Sequence, residues 1–166
     1  MKFMKFFFST IFLLLHYGSF SQNNEQNKAP YLQVKIVPPF KVYDYDSTLF
    51  RKSDIKKGPL LILYFSPDCG HCQMETDSII SKIESLKKLQ IVMITGRYHN
   101  DMKGFIDKYN LLKYKNITVG NDRTSFVQSF YQIEFTPFSA LYDKKGNLLE
   151  VFEKGIDYIK LKKLIK

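Results

Sequence analysis

The sequence predicts an α/β domain in which a central mixed β-sheet is flanked by helices, and three observations support this fold class. Two continuous apolar segments, Leu60–Phe65 and Ile91–Thr95, are typical of strands buried on both faces of a sheet. Apolar residues at helical spacing lie between them, so the order strand, helix, strand implies a parallel pair joined by a right-handed crossover. Further along, residues 138–143 and 148–153 surround a Gly-Asn turn and predict a hairpin, and residues 156–166 predict a closing helix.

The first 21 residues carry the three-part pattern of a secretory signal peptide. Lys2 and Lys5 precede a mostly apolar segment, Phe6–Leu15, and small residues lead to a cleavage site predicted after Ser21. The apolar segment is shorter than the ~20 residues that a permanent membrane helix needs, so an uncleaved anchor is the less favoured alternative. We therefore expect an exported protein, periplasmic or otherwise extracytoplasmic, in a compartment where disulfides persist.

The start of the mature chain is expected to be a linker followed by an N-terminal extension. Residues 22–30 are polar, which predicts a flexible linker, and residues 31–166 are long enough for one domain. Two short alternating segments on either side of Pro38-Pro39 predict strands in the extension. Residues 53–59 predict a helical turn or loop that Gly58-Pro59 closes.

The remaining elements follow the two buried strands. Apolar residues recur at helical spacing from Met74 to Leu89 and predict a long helix directly after the first strand. A helix is expected over Asp101–Leu111 and a short strand over 116–119. Another helix is predicted from Asp122 to Tyr131, with Asp122 as its cap.

The charge balance gives no evidence for a nucleic-acid partner. The whole chain has a formal charge of +9, and removal of the leader, which holds two lysines and no acid, would leave +7. The lysines are spread among acidic and aromatic residues without a dense basic block, which is typical of a solvated surface. We expect no nucleic-acid binding, and membrane contact at most through an uncleaved leader.

The two cysteines of the chain form the motif Cys69-Gly70-His71-Cys72, between the first buried strand and the long helix. A thiolate is the form that attacks disulfides, and the N-terminus of a helix stabilises an anion through its free N–H groups and its dipole. Cys69, at the tip, is therefore predicted to attack a substrate disulfide. Cys72, one helical turn later, is predicted to resolve the mixed disulfide.

Other uses of a close cysteine pair are less consistent with the sequence. Structural zinc needs four ligands, and the mature chain adds only His71 and His99. Covalent haem attachment needs a histidine where Gln73 stands, and a disulfide closing a two-residue loop would stabilise the fold weakly. We expect no metal and no cofactor. Two alternatives stay open: a non-catalytic binding module with a structural disulfide, and a metallochaperone.

Residues 60–89 resemble the strand, C-x-x-C motif and helix of the thioredoxin superfamily. The second landmark of that superfamily, a cis-proline before the strand that faces the active site, is matched by Thr136-Pro137. The resemblance implies a thioredoxin-like fold and a redox-active Cys69–Cys72 disulfide. It also implies a substrate groove framed by Thr136 and Pro137.

The leader, the N-terminal extension and a central insertion near residues 114–131 resemble the TlpA and ResA group of extracytoplasmic thiol-disulfide oxidoreductases. Several members of that group reduce cysteines in apocytochrome c, and its pattern carries an acid three residues after the second cysteine, where Glu75 stands. The resemblance implies that Glu75 moves protons or tunes Cys72. The alternative is that Glu75 is an acid of the first helical turn that stabilises the helix N-terminus. Expected partners are exported proteins with disulfides or dithiols, and an unidentified redox partner that recharges the site.

The sequence departs from the thioredoxin pattern at Leu63, at Asp68 and at the Gly70-His71 dipeptide. Asp68 and His71 are expected to shift the redox potential in opposite directions. Leu63 replaces the buried acid that cytosolic thioredoxins carry six residues before the first cysteine. Asp68 replaces an aromatic residue, and its charge should oppose the Cys69 thiolate unless it points to solvent. Gly70-His71 give the motif of protein disulfide isomerase, in which a partly protonated histidine stabilises the thiolate and raises the potential. Such motifs span about 90 mV, so the direction of electron flow stays open.

Overall fold

The computed structural model describes residues 28–165 and confirms the predicted fold class. The strands are β1 (Lys41–Tyr43), β2 (Leu49–Arg51), β3 (Leu60–Tyr64), β4 (Gln90–Thr95), β5 (Ile117–Asn121), β6 (Phe138–Tyr142) and β7 (Leu148–Phe152). The helices are α1 (Pro30–Gln33), α2 (Gly70–Ser81), α3 (His99–Tyr109), α4 (Phe126–Tyr131) and α5 (Tyr158–Leu164). The strands form one mixed sheet in the order β2-β1-β5-β4-β3-β6-β7.

The middle of the sheet is apolar on both faces. β3, β4 and β5 are parallel neighbours, and β6 runs antiparallel to β3 and carries the hairpin partner β7. All five residues of β3 are buried, since Leu61 and Leu63 pack towards α2 and α3 while Ile62 packs towards α4. A strand covered by helices on both sides has no polar face, which is why its sequence is a continuous apolar run.

The N-terminal extension differs in part from the prediction. The second half does form strands, and β1 joins β2 to the sheet edge beside β5. The first half begins instead with the short helix α1, which starts at Pro30, a residue whose fixed φ suits a first helical position. Ala29 is buried and Pro30 opens α1, so the last residues of the predicted linker belong to the packed domain.

The bounds of all four predicted helices differ from the predictions. α3 spans His99–Tyr109 where residues 101–111 were predicted, and α5 spans Tyr158–Leu164 within the predicted 156–166. α2 ends at Ser81, and a separate 3-10 turn over Ile83–Leu86 follows it, so the apolar spacing that continues to Leu89 spans two elements. α4 starts at Phe126, later than the predicted start at Asp122. Asp122 still accepts hydrogen bonds from the N–H groups of Phe126 and Val127, at 3.1 and 2.8 Å, and so satisfies free donors of the first turn.

The predicted signal peptide and residues 22–27 of the predicted linker lie outside the described residues. Between residues 28 and 165, the structure contains no helix with the length and apolar character needed to cross a membrane.

Candidate active site

The topology of the sheet brings the cysteine motif and Thr136-Pro137 together. Tyr64 at the end of β3 pairs with Phe138 at the start of β6, so the residues just beyond each of them meet at one edge. The Cys69 thiol donates a hydrogen bond to the carbonyl of Thr136 over 3.5 Å. The Thr136–Pro137 peptide bond is cis, which confirms that prediction.

The two thiols occupy different environments. Cys69 is the N-cap of α2 and is partly exposed, whereas Cys72, in the first turn, is 1% exposed. The backbone N–H of Ser66 donates to the Cys72 sulfur over 3.5 Å. Both cysteines are free thiols in the structure, so the Cys69–Cys72 disulfide stays a prediction for the oxidised form. The relative exposure is the one that an attacking Cys69 and a resolving Cys72 require.

Burial and hydrogen bonding move the two pKa values apart. Burial by itself would raise the pKa of Cys69, but hydrogen bonds with Cys72, Thr136 and the N–H of His71 outweigh it and lower that pKa. Burial raises the pKa of Cys72 to about 11, and its hydrogen bonds offset this only in part. Near neutral pH the thiolate therefore forms on Cys69, the more exposed of the two sulfurs.

We predict that iodoacetamide alkylates Cys69 at least about tenfold faster than Cys72 near neutral pH. The larger thiolate fraction of Cys69 favours its reaction, and the lower intrinsic nucleophilicity of a low-pKa thiolate removes only part of that advantage. Mass spectrometry of the modified peptides measures both rates on the reduced chain. The same reaction in denaturant is the control, because unfolding should make the rates similar, and equal rates in the folded chain would contradict the assignment.

Asp68 is charged and turned towards solvent, with a partner that sequence reasoning missed. The Ser66 hydroxyl donates a hydrogen bond to its carboxylate, and Arg97 forms an ion pair with it at 3.1 Å. The Ser66 hydroxyl and then the backbone N–H of Asp68 lower the pKa of this carboxyl, burial opposes them, and the Arg97 guanidinium adds a lowering smaller than the effect of burial. Arg97 follows β4 at the same edge of the sheet where the cysteine motif follows β3. Its position just after a predicted parallel strand was the feature of the sequence that could have placed it near the motif.

Gly70 and His71 lie on the exposed side of the motif. His71 lines a groove of about 940 Å³ that passes Thr136 and Pro137. Gly70 has no atom within 4 Å of the position where a Cβ would stand, so nothing in the packing requires glycine there. The placement of His71 is consistent with a role near the cysteines, which stays a prediction.

The far wall of the groove comes from α1. Tyr31 packs on the rings of Tyr131 and Phe138, with centroids 5.5 and 6.2 Å apart, and Leu32 stands 44% exposed beside it. Phe135, immediately before the Thr136-Pro137 pair, is 77% exposed. The cysteine motif therefore opens onto a surface with exposed apolar side chains.

Glu75 is buried and ties α2 to the end of the chain. Its carboxylate accepts hydrogen bonds from the Tyr158 hydroxyl at 2.6 Å and from the N–H of Ile156 at 3.0 Å. Burial, and then the bond and charge of Glu75, raise the pKa of Tyr158, while the Lys82 ammonium lies 4.8 Å from the Tyr158 ring. Since α2 starts at Gly70, Glu75 is in the second turn and the interpretation as a first-turn acid is wrong. The proton role stays a prediction.

The structure gives no indication of a metal centre in the part of the chain that it describes. Among residues 28–165, no three or more His, Cys, Asp or Glu side chains are grouped so that they could hold a metal ion. His99 lies at the start of α3, where its Nε2 is 3.3 Å from the Ser47 hydroxyl and 3.2 Å from the Tyr45 carbonyl.

Several solved structures share this fold. A secreted disulfide oxidoreductase from Mycobacterium tuberculosis, homologous to E. coli DsbE, matches with a TM-score of 0.63 at 20% identity, over 76% of this chain and 94% of that one. The thioredoxin domain of a thiol-disulfide oxidoreductase from Bacteroides vulgatus matches with a TM-score of 0.65 at 20% identity, over 79% and 96%. A thiol peroxidase from Chromobacterium violaceum matches with a TM-score of 0.66 at 16% identity, over 78% and 82%. These likenesses confirm a thioredoxin-like fold.

The comparison of sequences identifies the family. No curated protein matches the sequence. A family model described as AhpC/TSA matches residues 34–154, which include β1 to β7 and the whole cysteine motif. This match and the structural neighbours support the predicted enzyme class, a thioredoxin-like thiol-disulfide oxidoreductase. The chain belongs to the AhpC/TSA family.

Proposed function

We propose that this protein is an exported thiol-disulfide oxidoreductase of the TlpA and ResA type, which reduces or exchanges disulfides in extracytoplasmic proteins through Cys69 and Cys72. The observation that carries the proposal is the contrast between the two thiols. Cys69 is partly exposed and has a lowered pKa, and Cys72 is buried one helical turn behind it with a raised pKa. A structural disulfide has no need of this contrast, whereas sequential attack by two thiols depends on it.

The reaction proceeds in two exchange steps. The Cys69 thiolate attacks one sulfur of the substrate disulfide, a mixed disulfide forms, and the first substrate sulfur leaves as a thiolate that takes a proton from water. The Cys72 thiol then gives up its proton and attacks the Cys69 sulfur. This second attack releases the other substrate thiol and leaves a Cys69–Cys72 disulfide. Two electrons have passed to the substrate, and the reverse sequence oxidises a dithiol.

The groove beside Thr136 and Pro137 is where the substrate would lie. An extended segment of the partner can pair with backbone groups there and bring its disulfide to Cys69, as peptides do at other exposed backbone sites. Phe135, 77% exposed, offers apolar contact area at the edge of this path. Partners of this kind are exported proteins with disulfides or dithiols, and apocytochromes c, with their cysteines, are one example. A separate redox protein must return electrons to the oxidised Cys69–Cys72 pair.

Export is part of the proposal and is tested separately. The leader pattern in residues 1–21 supports it, and one structural neighbour is described as secreted. N-terminal sequencing of the protein recovered from the extracytoplasmic fraction should begin after Ser21. Recovery in the cytosol with Met1 in place would contradict export, and recovery in the membrane with Met1 in place would indicate an uncleaved anchor.

Catalysed reduction of insulin disulfides by dithiothreitol tests the activity. The wild-type chain in catalytic amounts should accelerate the reaction well above dithiothreitol alone, and absence of acceleration would favour the non-catalytic binding module. Titration of the reduced chain with Cu(I) or zinc tests the metallochaperone alternative, which tight binding of one equivalent would support. Consumption of hydrogen peroxide is measured in parallel, because a thiol peroxidase shares the fold.

The reduction potential of the Cys69–Cys72 pair decides the direction of electron flow. Equilibration with glutathione or dithiothreitol buffers gives the potential directly. A value near −270 mV would support a reductase, and a value near −180 mV would support disulfide exchange or oxidation. His71 should raise the potential and Asp68 should lower it, and Arg97 reduces the effect of Asp68.

A further inference from the structure

Asp68 directly precedes Cys69 in the sequence, and the structure shows which groups its carboxylate contacts. Its side chain is 67% exposed and bonds to the Ser66 hydroxyl on one side and to Arg97 on the other. The same Ser66 donates its backbone N–H to the Cys72 sulfur. The turn before α2 therefore holds the Asp68 carboxylate in one position beside the redox motif.

Arg97 is held in place by the core of the protein. The buried side chain of Asn121 donates hydrogen bonds to the carbonyls of Arg97 and Thr95, at 2.6 and 3.1 Å. The N–H of Arg97 also donates to the Thr95 hydroxyl at 3.2 Å. Fixing the backbone in this way directs the Arg97 side chain to the Asp68 carboxylate, which it meets at 3.1 Å.

We propose that Arg97 is a positioning residue for the redox reaction, which keeps the Asp68 carboxylate paired at the solvent-exposed side of the turn and so preserves the reactivity of the Cys69 thiol. The inference rests on the proposed function, because it assumes that Cys69 is the attacking sulfur. It assigns a role to an arginine that lies outside the cysteine motif and is separated from Cys69 by 28 positions in the chain.

The physical reason is electrostatic. An unpaired carboxylate next to a thiol disfavours the second negative charge that thiolate formation requires. A guanidinium beside that carboxylate offsets part of its charge at short range. Because the pair is exposed, its contribution to folding stability should be small, so a change at Arg97 should alter the chemistry of Cys69 while the fold is kept.

Other charged or titratable groups stand near the motif and could contribute to the titration of Cys69. Those on the same turn and helix, and on the segments around the groove or packed on α2, include Lys28, Asp68, His71, Cys72, Glu75, Asp77, Lys82, Lys108, Glu134, Glu153, Lys154 and Tyr158. None of them is altered in the variants below except Asp68 itself. If the Cys69 alkylation rate changes in the Arg97 variant but not when Asp68 is neutral, the effect of Arg97 is therefore exerted through Asp68.

The test is a double-mutant cycle on the reduced full-length chain, with alkylation of Cys69 by iodoacetamide as the readout across pH. Arg97→Gln should slow the reaction between about two- and fivefold at pH values below the Cys69 pKa, the range expected for an exposed charge pair. The pH midpoint of Cys69 alkylation in Arg97→Gln should rise by a corresponding amount. In the Asp68→Asn background the same Arg97→Gln change should have no effect, and Arg97→Lys should recover most of the wild-type rate.

Two controls separate this effect from general charge and from misfolding. Arg123→Gln removes an arginine that stacks on Tyr43 with its guanidinium 3.9 Å from the ring centre, and it should leave the Cys69 rate unchanged. Urea unfolding should show that Arg97→Gln keeps wild-type stability. Raising the salt concentration to about 1 M, which shortens the Debye length to about 3 Å, should reduce the difference between wild type and Arg97→Gln.

The outcomes are distinct. An unchanged Cys69 rate in Arg97→Gln, or an equal loss in the presence and absence of the Asp68 carboxylate, would overturn the proposal. Alkylation needs no protein substrate, so the cycle reads Cys69 directly even if the protein fails to reduce insulin. Failure of the proposed function and failure of this inference are therefore observed in different experiments.

Discussion

Replacement of Cys69 by serine is expected to abolish insulin reduction, with a fall on the order of a thousandfold or more, as loss of a catalytic nucleophile typically produces. A serine hydroxyl is not ionised near neutral pH and cannot begin the exchange, while Cys72 is buried and has a pKa raised to about 11. Initial rates with dithiothreitol measure the effect. Retention of more than a tenth of the wild-type rate would show that Cys69 is not the attacking sulfur.

Cys72→Ser is the matched variant, and it should stop the reaction at a different stage. Cys69 can still attack, but nothing resolves the mixed disulfide, so a covalent complex with the substrate should accumulate and disappear on addition of dithiothreitol. Non-reducing gels and mass spectrometry detect it. The double variant Cys69→Ser/Cys72→Ser should give no complex, and a complex formed by Cys69→Ser alone would reverse the assigned roles.

Glu75→Ala is expected to lower the free energy of unfolding by about 2–4 kcal/mol, because it leaves one buried and one partly buried donor without an acceptor. These donors are the hydroxyl of Tyr158 and the N–H of Ile156, both bonded to the Glu75 carboxylate. Urea unfolding measures the loss. Tyr158→Phe removes one of the two bonds and leaves the carboxylate in place, so it should cost less, about 0.5–1.5 kcal/mol.

Glu75→Gln separates stability from chemistry. Glutamine keeps an acceptor oxygen and nearly the same volume, but it carries no proton that it can exchange. If Glu75 moves protons for Cys72, turnover should fall and its pH profile should change while the variant remains folded. If Glu75 acts only as a link between α2 and α5, the pH profile should match wild type, and a wild-type stability of Glu75→Ala would contradict that link.

The elements at the centre of the sheet could be predicted because burial on both faces leaves a strong mark in the sequence. Leu60–Phe65 reads as a strand without reference to any other part of the chain. The cysteines were found because the motif is a local pattern, whereas the cis bond at Thr136-Pro137 was expected from the resemblance to the thioredoxin superfamily. α1 was missed because four residues give too little periodicity to distinguish a helical turn from a strand, and packing of Tyr31 on Tyr131 and Phe138 decides the outcome.

Contacts between distant side chains were the part that sequence reasoning could not supply. The partner of Asp68 is Arg97, and the partners of Glu75 are Tyr158 and the Ile156 backbone, each from another element of the fold. Both contacts change the interpretation of a residue whose position in the motif was noticed at once. An unpaired Asp68 carboxylate would oppose formation of the Cys69 thiolate, whereas a carboxylate paired with Arg97 is expected to oppose it less.

The residues expected to carry the thiol chemistry and some of those expected to select the partner lie in different segments of the chain, because α1 forms one wall of the groove. The cysteine motif lies between β3 and α2 and meets the start of β6, whereas part of the groove proposed to receive a partner is built by the segment before β1. A chain with serine in place of Leu32, which is 44% exposed on that wall, would retain the core, the whole sheet and both thiols. Such a chain offers a way to keep the reactivity towards small disulfides while removing selectivity among protein substrates, so chemistry and choice of partner can be altered one at a time.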